Sequence, residues 1–191
     1  MYYKTRVKDY VRLPPASFGE DIELSLTQEI KKKYNGFISP EFGFVIDVTG
    51  VDTIGQGIIL PGDGSAHYSV EFTLLTFKPE MQEIVLGKIT NVADFGAFIN
   101  IGPIEGMIHI SQTMNDFVSF GKDGVLSGKN TKHSLKVGDI CKAKIIAVSY
   151  KDLSNPKIGL TMRQDGLGKD EWINAEPVAA AKESKEEKKA K

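Results

Sequence analysis

The chain has 191 residues and carries 24 Lys plus Arg against 25 Asp plus Glu, a formal charge of -1, so it lacks the basic field of a protein that coats duplex nucleic acid. Its single cysteine, Cys141, rules out an internal disulfide and suits a reducing compartment, which makes the cytoplasm the expected location. No apolar run approaches the roughly 20 residues of a membrane helix, and the start MYYKTRVKDY has no signal-peptide core, so neither membrane insertion nor secretion is expected and the length suits two small domains.

The first predicted element is a strand. Tyr3, Thr5, Val7, Asp9, Val11 and Leu13 alternate with Tyr2, Lys4, Arg6, Lys8, Tyr10 and Arg12, a period of two that marks a half-buried strand with a basic outer face. That face reads either as solvated sheet surface or as a contact surface for a partner or nucleic acid. Pro14-Pro15 ends the strand. Ser17-Phe-Gly-Glu20 then matches a capping box, and Phe18, Ile22, Leu26, Ile30 and Tyr34 form an i+4 stripe on a helix capped at Gly36. Lys31, Lys32 and Lys33 fall in its last turn, where cations favour the helix dipole.

Residues 42–60 and 68–78 are rich in Phe, Val, Ile and Thr and predict an antiparallel sheet with long hairpin tips. Gly55, Gly57, Gly62 and Gly64 lie in or between these runs, but the stretch lacks the Gly-Lys-Ser/Thr end of a phosphate loop and a following helix, so the glycines read as turns. PGDGSAHY, which contains Asp63, reads as an exposed loop available for contact.

Near Pro79-Glu80 the texture changes. Short strands are predicted at about 83–94, 95–101, 106–110, 140–150 and 156–163, with a longer irregular insert at 112–136, a pattern that fits a small Greek-key barrel of the OB type. The predicted fold class is therefore α+β followed by all-β: an antiparallel sheet with one helix over residues 1–79, then a five-stranded OB barrel over 80–165. Residues 166–191 end in an Ala-, Lys- and Glu-rich stretch that reads as a disordered or fraying helical tail. In the insert, Phe117 and Phe120 either pack back on the barrel or extend a binding surface.

The stretch DFGAFINIGPIEGMIHIS, residues 94–111, predicts a hairpin closed by Gly102-Pro-Ile-Glu105. Closed symmetrically, it sets Ile99 against Ile108 and Phe98 against His109, with the isoleucines pointing into the barrel and Phe98 and His109 outside. Phe95 is three residues from Phe98 and belongs on the opposite face of a regular strand, unless a bulge or twist at Gly96 brings both rings together. The alternation of Cys141, Ala143, Ile145 and Ala147 with Lys142 and Lys144 supports the same layout, small apolar residues in and lysines out. Exposed rings flanked by cations such as Lys88 and Lys157 suit single-stranded RNA, whose bases stack on aromatic faces. From the residues alone, rings that cover the barrel mouth or meet a protein partner remain an equal alternative.

GKITNVADFGAFINIGPIEGMIHIS at 87–111, LKVGD at 135–139 and KIGLTM at 157–162 resemble the S-one-type RNA-binding OB family. The resemblance implies that Phe95, Phe98 and His109 form the RNA face, with Asp152 and Lys157 near the last turn; the family often has arginine at the second of these. Together with PPASFGEDI, GFVIDV, GDGSAHY, FKPEMQEIVLGKI and HISQTMNDFVSF, the chain resembles the E-prime family of archaeal DNA-directed RNA polymerase subunits, whose eukaryotic counterpart is the seventh subunit of polymerase II. The resemblance implies a non-catalytic stalk subunit with a truncated ribonucleoprotein-like amino-terminal domain. It implies a tip at about 50–66, including Gly55, Gly57, Gly62, Asp63 and Gly64, that docks on the polymerase core near the clamp. It also implies a heterodimer with the small F-type stalk protein of the RNA polymerase, counterpart of the fourth polymerase II subunit, and binding of nascent single-stranded RNA.

A ribosome-associated RNA binder using the same barrel is the second reading. An enzyme is the third and weakest, because His67, His109, His133 and Cys141 are scattered without metal-ligand spacing and no nucleophilic triad is arguable. No cofactor and no metal are expected.

Overall fold

A computed structural model describes residues 1–121, 123–152 and 156–173. The expected tail lies outside the described residues. The chain divides into two units, Met1–Pro79 and the residues from Glu80 onward.

The first unit is a four-stranded antiparallel sheet in the order β1-β4-β3-β2, with β1 at Tyr2–Leu13, β2 at Ile38–Ser39, β3 at Gly43–Ile59 and β4 at Ala66–Phe77. One helix, α1, spans Ile22–Tyr34. The period of two in β1 sorts as expected: Val11 and Leu13 are buried while Lys4, Arg6, Lys8 and Arg12 are exposed. Leu26 and Ile30 of α1 are fully buried in a core with Val11, Leu13, Val45, Val48, Val70, Phe72 and Leu74.

Two details of the helix differ from the sequence reading. The N-cap is Asp21, whose Oδ1 accepts from the Glu23 and Leu24 backbone N–H groups at 2.8 and 3.3 Å, whereas Ser17 ends a short 3-10 turn, Pro15–Ser17. The buried stripe accordingly begins at Leu26; Phe18 and Ile22, before and at the first helical residue, stand exposed. At the other end the cap is Asn35, and Gly36 follows with φ +74°, so the glycine is the left-handed residue just beyond the cap.

The second unit is a closed barrel. Strands β5 (Ile84–Ala93), β6 (Gly96–Asn100), β7 (Glu105–His109), β11 (Ile140–Ser149) and β12 (Lys157–Thr161) pair in the order β12-β7-β6-β5-β11, and β12 pairs again with β11 to seal the circuit. A two-residue strand, β13 (Gly168–Lys169), adds to β11. Ile89, Ala97, Ile99, Ile108, Cys141, Ala143, Ile145 and Leu160 fill the interior. The insert between β7 and β11 is not irregular. It holds a three-stranded sheet of β8 (Val118–Phe120), β9 (Leu126–Gly128) and β10 (Ser134–Leu135). Phe117 and Phe120 do not pack back on the barrel; they are 80% and 43% exposed.

Candidate nucleic-acid interface

The ring cluster grows from a two-residue turn. Ala93 pairs with Gly96, leaving Asp94 and Phe95 as the connection between β5 and β6. A turn residue is not bound by the two-faced alternation of a strand, so Phe95 and Phe98 meet edge to face with centroids 6.0 Å apart and planes at 88°. No bulge interrupts β6 itself; the irregularity sits in β5 between Ile89 and Asn91. Gly96 still matters, because a Cβ there would lie 2.2 Å from the Ile108 carbonyl oxygen. Its absence lets β6 start flush against β7, and the Ile110 N–H donates to the Phe95 carbonyl at 2.9 Å.

The register across β6 and β7 differs from the symmetric closure by two residues. Phe98 faces Met107, and His109 faces Gly96. The turn is tighter than expected because the Asn100 side chain accepts from the Gly102 N–H at 2.8 Å and the Ile101 N–H donates to the Ile104 carbonyl at 3.0 Å. A slip of two keeps every side chain on its face, so Ile99 and Ile108 remain inside and Phe98 and His109 outside. Phe95 is 47% exposed, Phe98 half-buried and His109 exposed.

His109 also caps a 3-10 turn, Ile110–Gln112, through its side chain. The Ser111 backbone N–H reaches Nδ1 at 3.3 Å and the Ser111 hydroxyl lies 2.8 Å from the same atom. A backbone N–H can only donate, so Nδ1 accepts, and the neutral ring carries its proton on Nε2.

The cations are set apart from the rings. Lys88 faces Asn100, which faces Glu105, a row about 7 Å along the strands from the row of Phe98 and Met107. Lys157 opens β12, two residues before Gly159, the partner of Met107 on this parallel strand, and so stands at the Glu105 end, away from His109. Asp152 is exposed in the β11–β12 connection, toward the same end. Lys142 and Lys144 point outward as expected, and bond to Asp170 at 2.7 Å and Gln164 at 3.3 Å.

Met107 was missed by sequence reasoning, although a corrected hairpin register would have placed it beside Phe98. A depression of about 470 Å³ was missed as well, lined by Ile110, Ser111, Asn115, Asp116, Phe117, Val118, Asn130 and Arg163. Asp116 frames it: its carboxylate accepts from the backbone N–H groups of Phe117, Asn130 and Thr131 at 2.6, 2.7 and 2.8 Å, and from the Asn130 amide and Thr131 hydroxyl. These donors, the Thr131 N–H foremost, hold its carboxyl down at about 2.

In the first unit, residues 50–66 are mostly strand rather than loop. β3 runs to Ile59 with register shifts at Val48/Gly50, Val51/Thr53 and Ile54/Gly57, and β4 restarts at Ala66. Gly55 and Gly57 lie within this bulged ribbon; a Cβ on Gly57 would meet the Tyr68 ring at 2.6 Å. Gly62, at φ +89°, and Gly64 occupy the turn itself. Ser65 and Ala66, expected in an exposed loop, are buried. Asp63 is taken up internally, accepting from Arg12 at 3.0 and 3.2 Å and from the Ser65 N–H at 3.1 Å, with His67 Nε2 at 3.0 Å. The Arg12 guanidinium, then His67, hold its carboxyl well below the usual carboxylate range. The most exposed apolar side chains at the tip are Ile58, Ile59 and Leu60. They form an apolar run before Pro61-Gly62 that was readable in the sequence.

A sheet-and-helix unit followed by a closed five-stranded barrel with outward-facing rings defines a two-domain protein of the OB class. Residues 8–64 match the model of the SHS2 domain found in the N terminus of Rpb7p/Rpc25p/MJ0397, and residues 78–154 match that of the S1 RNA binding domain. The chain is 34% identical over 183 residues to DNA-directed RNA polymerase subunit Rpo7 of Sulfolobus acidocaldarius, covering 95% of this chain and 100% of that one. It is 35% identical over 175 residues to subunit Rpo7 of Saccharolobus solfataricus, covering 91% and 97%. To DNA-directed RNA polymerase II subunit 7 of Arabidopsis thaliana it is 28% identical over 183 residues, covering 94% and 100%. The chain belongs to the Rpo7 family of DNA-directed RNA polymerase subunits, and it is a non-catalytic, accessory member of that assembly. Among the described residues no helix is long and apolar enough to cross a membrane.

Proposed function

We propose that this protein belongs to the polymerase stalk and holds nascent single-stranded RNA on the outer face of its barrel. The observation that carries the reading is the Phe95–Phe98 pair, 6.0 Å apart and accessible, beside an exposed His109 whose Nε2 carries the ring proton. Bases stack on such rings whatever their identity, which suits a surface that receives every transcript in turn. Lys88, Lys157 and Asp152 form the far rim of the same face.

Residues 1–79 are the amino-terminal domain, 80–165 the RNA-binding domain and 166–191 the terminal segment. The ribbon tip docks on the polymerase core near the clamp. Its contact is made by Ile58, Ile59 and Leu60, around a turn that Gly62, Gly64 and the Asp63–Arg12 pair keep in shape, with Gly55 and Gly57 giving the ribbon its bulge. A companion, the F-type stalk protein, forms a heterodimer with this chain, and the exposed Ile84, Leu86 and Ile140 of β5 and β11, each opposite a lysine across the strand pair, offer such a partner mixed apolar and cationic contacts. The cytoplasm of an archaeal cell is the setting.

Fluorescence titration with a short labelled RNA tests the reading. The variant Phe95→Ala, Phe98→Ala, His109→Ala binds at least about tenfold more weakly, since each stacked base is worth about 1–3 kcal/mol. Unchanged affinity removes these residues from the site. Co-purification of a small partner and the core enzyme with a tagged chain tests the assembly.

A further inference from the structure

We propose that the depression between the 3-10 turn and the insert is a second nucleotide subsite, filled by the same RNA strand as it leaves the ring cluster. It rests on the RNA-binding reading above and extends it.

Continuity with the ring face is covalent and hydrogen-bonded. Ser111, which holds His109 Nδ1, is itself a wall of the depression, and its neighbour Ile110 donates to the Phe95 carbonyl. A strand of RNA passing His109 meets this hollow next. About 470 Å³ is room for a base with its ribose.

The lining has the chemistry for that occupant. Phe117 is 80% exposed, more than Phe95 or Phe120. A benzyl group so placed gains nothing from the core, but offers a base a stacking face. Arg163 brings a permanent positive charge to the wall. Its Nε donates to the Asn115 Oδ1 at 3.3 Å, which orients the guanidinium while its terminal nitrogens remain donors for a phosphate or a base edge.

Asp116 does not spoil the site for a polyanion. Five donors from three residues converge on its carboxylate, about the full acceptor capacity of the group, so its lone pairs are taken up in fixing the backbone at Phe117 and Asn130. Its negative charge is matched by the positive charge of Arg163 in the same lining. The ring is thereby held on a braced turn, so little ordering remains to be done when a base arrives.

Two variants of the full chain test the subsite against an RNA of about eight nucleotides, within the usual span of an OB fold. Phe117→Ala with Arg163→Met, checked for an unchanged melting temperature, is expected to weaken binding roughly tenfold. Phe117→Trp is expected to retain binding and to show its indole emission quenched as RNA is added. If the Phe95, Phe98, His109 triple variant loses affinity while the Phe117, Arg163 pair does not and the new indole stays bright, the subsite is wrong and the ring reading stands. If neither variant changes affinity, both fall. If only the pair matters, the depression is the site and the rings are not.

Discussion

Replacing Gly96 with alanine attacks the backbone contact on which the ring cluster rests. The new methyl would sit 2.2 Å from the Ile108 carbonyl oxygen and 3.1 Å from the Cα of His109. Neither atom is the free end of a side chain; both belong to β7, which is held by β6 on one side and β12 on the other. The overlap can be relieved only by parting two paired strands, so the cost lies at the upper end of overpacking, about 3 kcal/mol. For a domain of this size that is a fall in Tm of about 12 °C or more. Gly124→Ala is the control, since Gly124 has φ +69° but open space around it, and only the left-handed backbone cost of about 1–2 kcal/mol applies. Scanning calorimetry of the purified chain compares the two. A shift for Gly96→Ala no larger than that for Gly124→Ala refutes the close-approach account. A cooperative fold whose NMR spectrum no longer places the Phe95 and Phe98 rings in contact would instead show that the turn had rearranged.

Other outcomes follow from the same structure. Phe72→Ala, at a fully buried side chain in the first unit, is expected to cost about 3–5 kcal/mol in a urea titration; a cost under about 1 kcal/mol would mean that the site collapses freely. Asp116, held at about 2 against an ordinary 3.8, stabilises the insert fully above the unfolded carboxyl's range and loses that contribution as pH falls through about 2. The amide signals of Asn130 and Thr131 should therefore titrate near 2, and a midpoint near 4 would contradict the bonding described. Burial pushes the Cys141 thiol up to about 12, so a disulfide reagent at pH 8 should leave it untouched until denaturant is added; modification of the folded chain would place the thiol at the surface. With Lys88, Lys157 and Arg163 as the cations on the RNA path, log affinity should fall against log salt with a slope of only about -2, and a slope steeper than about -4 would point to phosphate contacts elsewhere.

Much of the fold was written in short-range alternation. In β1 and β11 one polar and one apolar residue take turns along much of the strand. β1 keeps the face it was given, while β11 keeps it only as far as Ile145, where a bulge shifts the register and leaves Ala147, expected inside, exposed. Where the signal failed, a local bond outweighed the pattern. Ser17 and Glu20 have the spacing of a capping box, yet a 3-10 turn begins at Pro15, and Asp21, adjacent to the helix, caps it. The hairpin register slipped by two because one side-chain bond, Asn100 to the Gly102 N–H, tightens the turn. The insert's strands of two or three residues are too short to carry a period. Of the candidate site, the three rings were legible from residue type and spacing, but their meeting depended on Phe95 occupying a turn. The depression drew Ser111, Phe117 and Arg163 from separate stretches of chain, and only the closed fold places them together.

The second pairing of β12, to β11 as well as to β7, has a consequence for how any polymer can lie on this surface. With the seam shut, the strands around the aromatic patch have their peptide groups engaged with one another, and a visiting chain cannot zip on as an extra ribbon. Only side chains greet it, and they touch flat ring faces more than lettered edges. On the stacking role proposed above, a transcript would advance one step by exchanging one stacking partner for the next, without the scaffold beneath having to open.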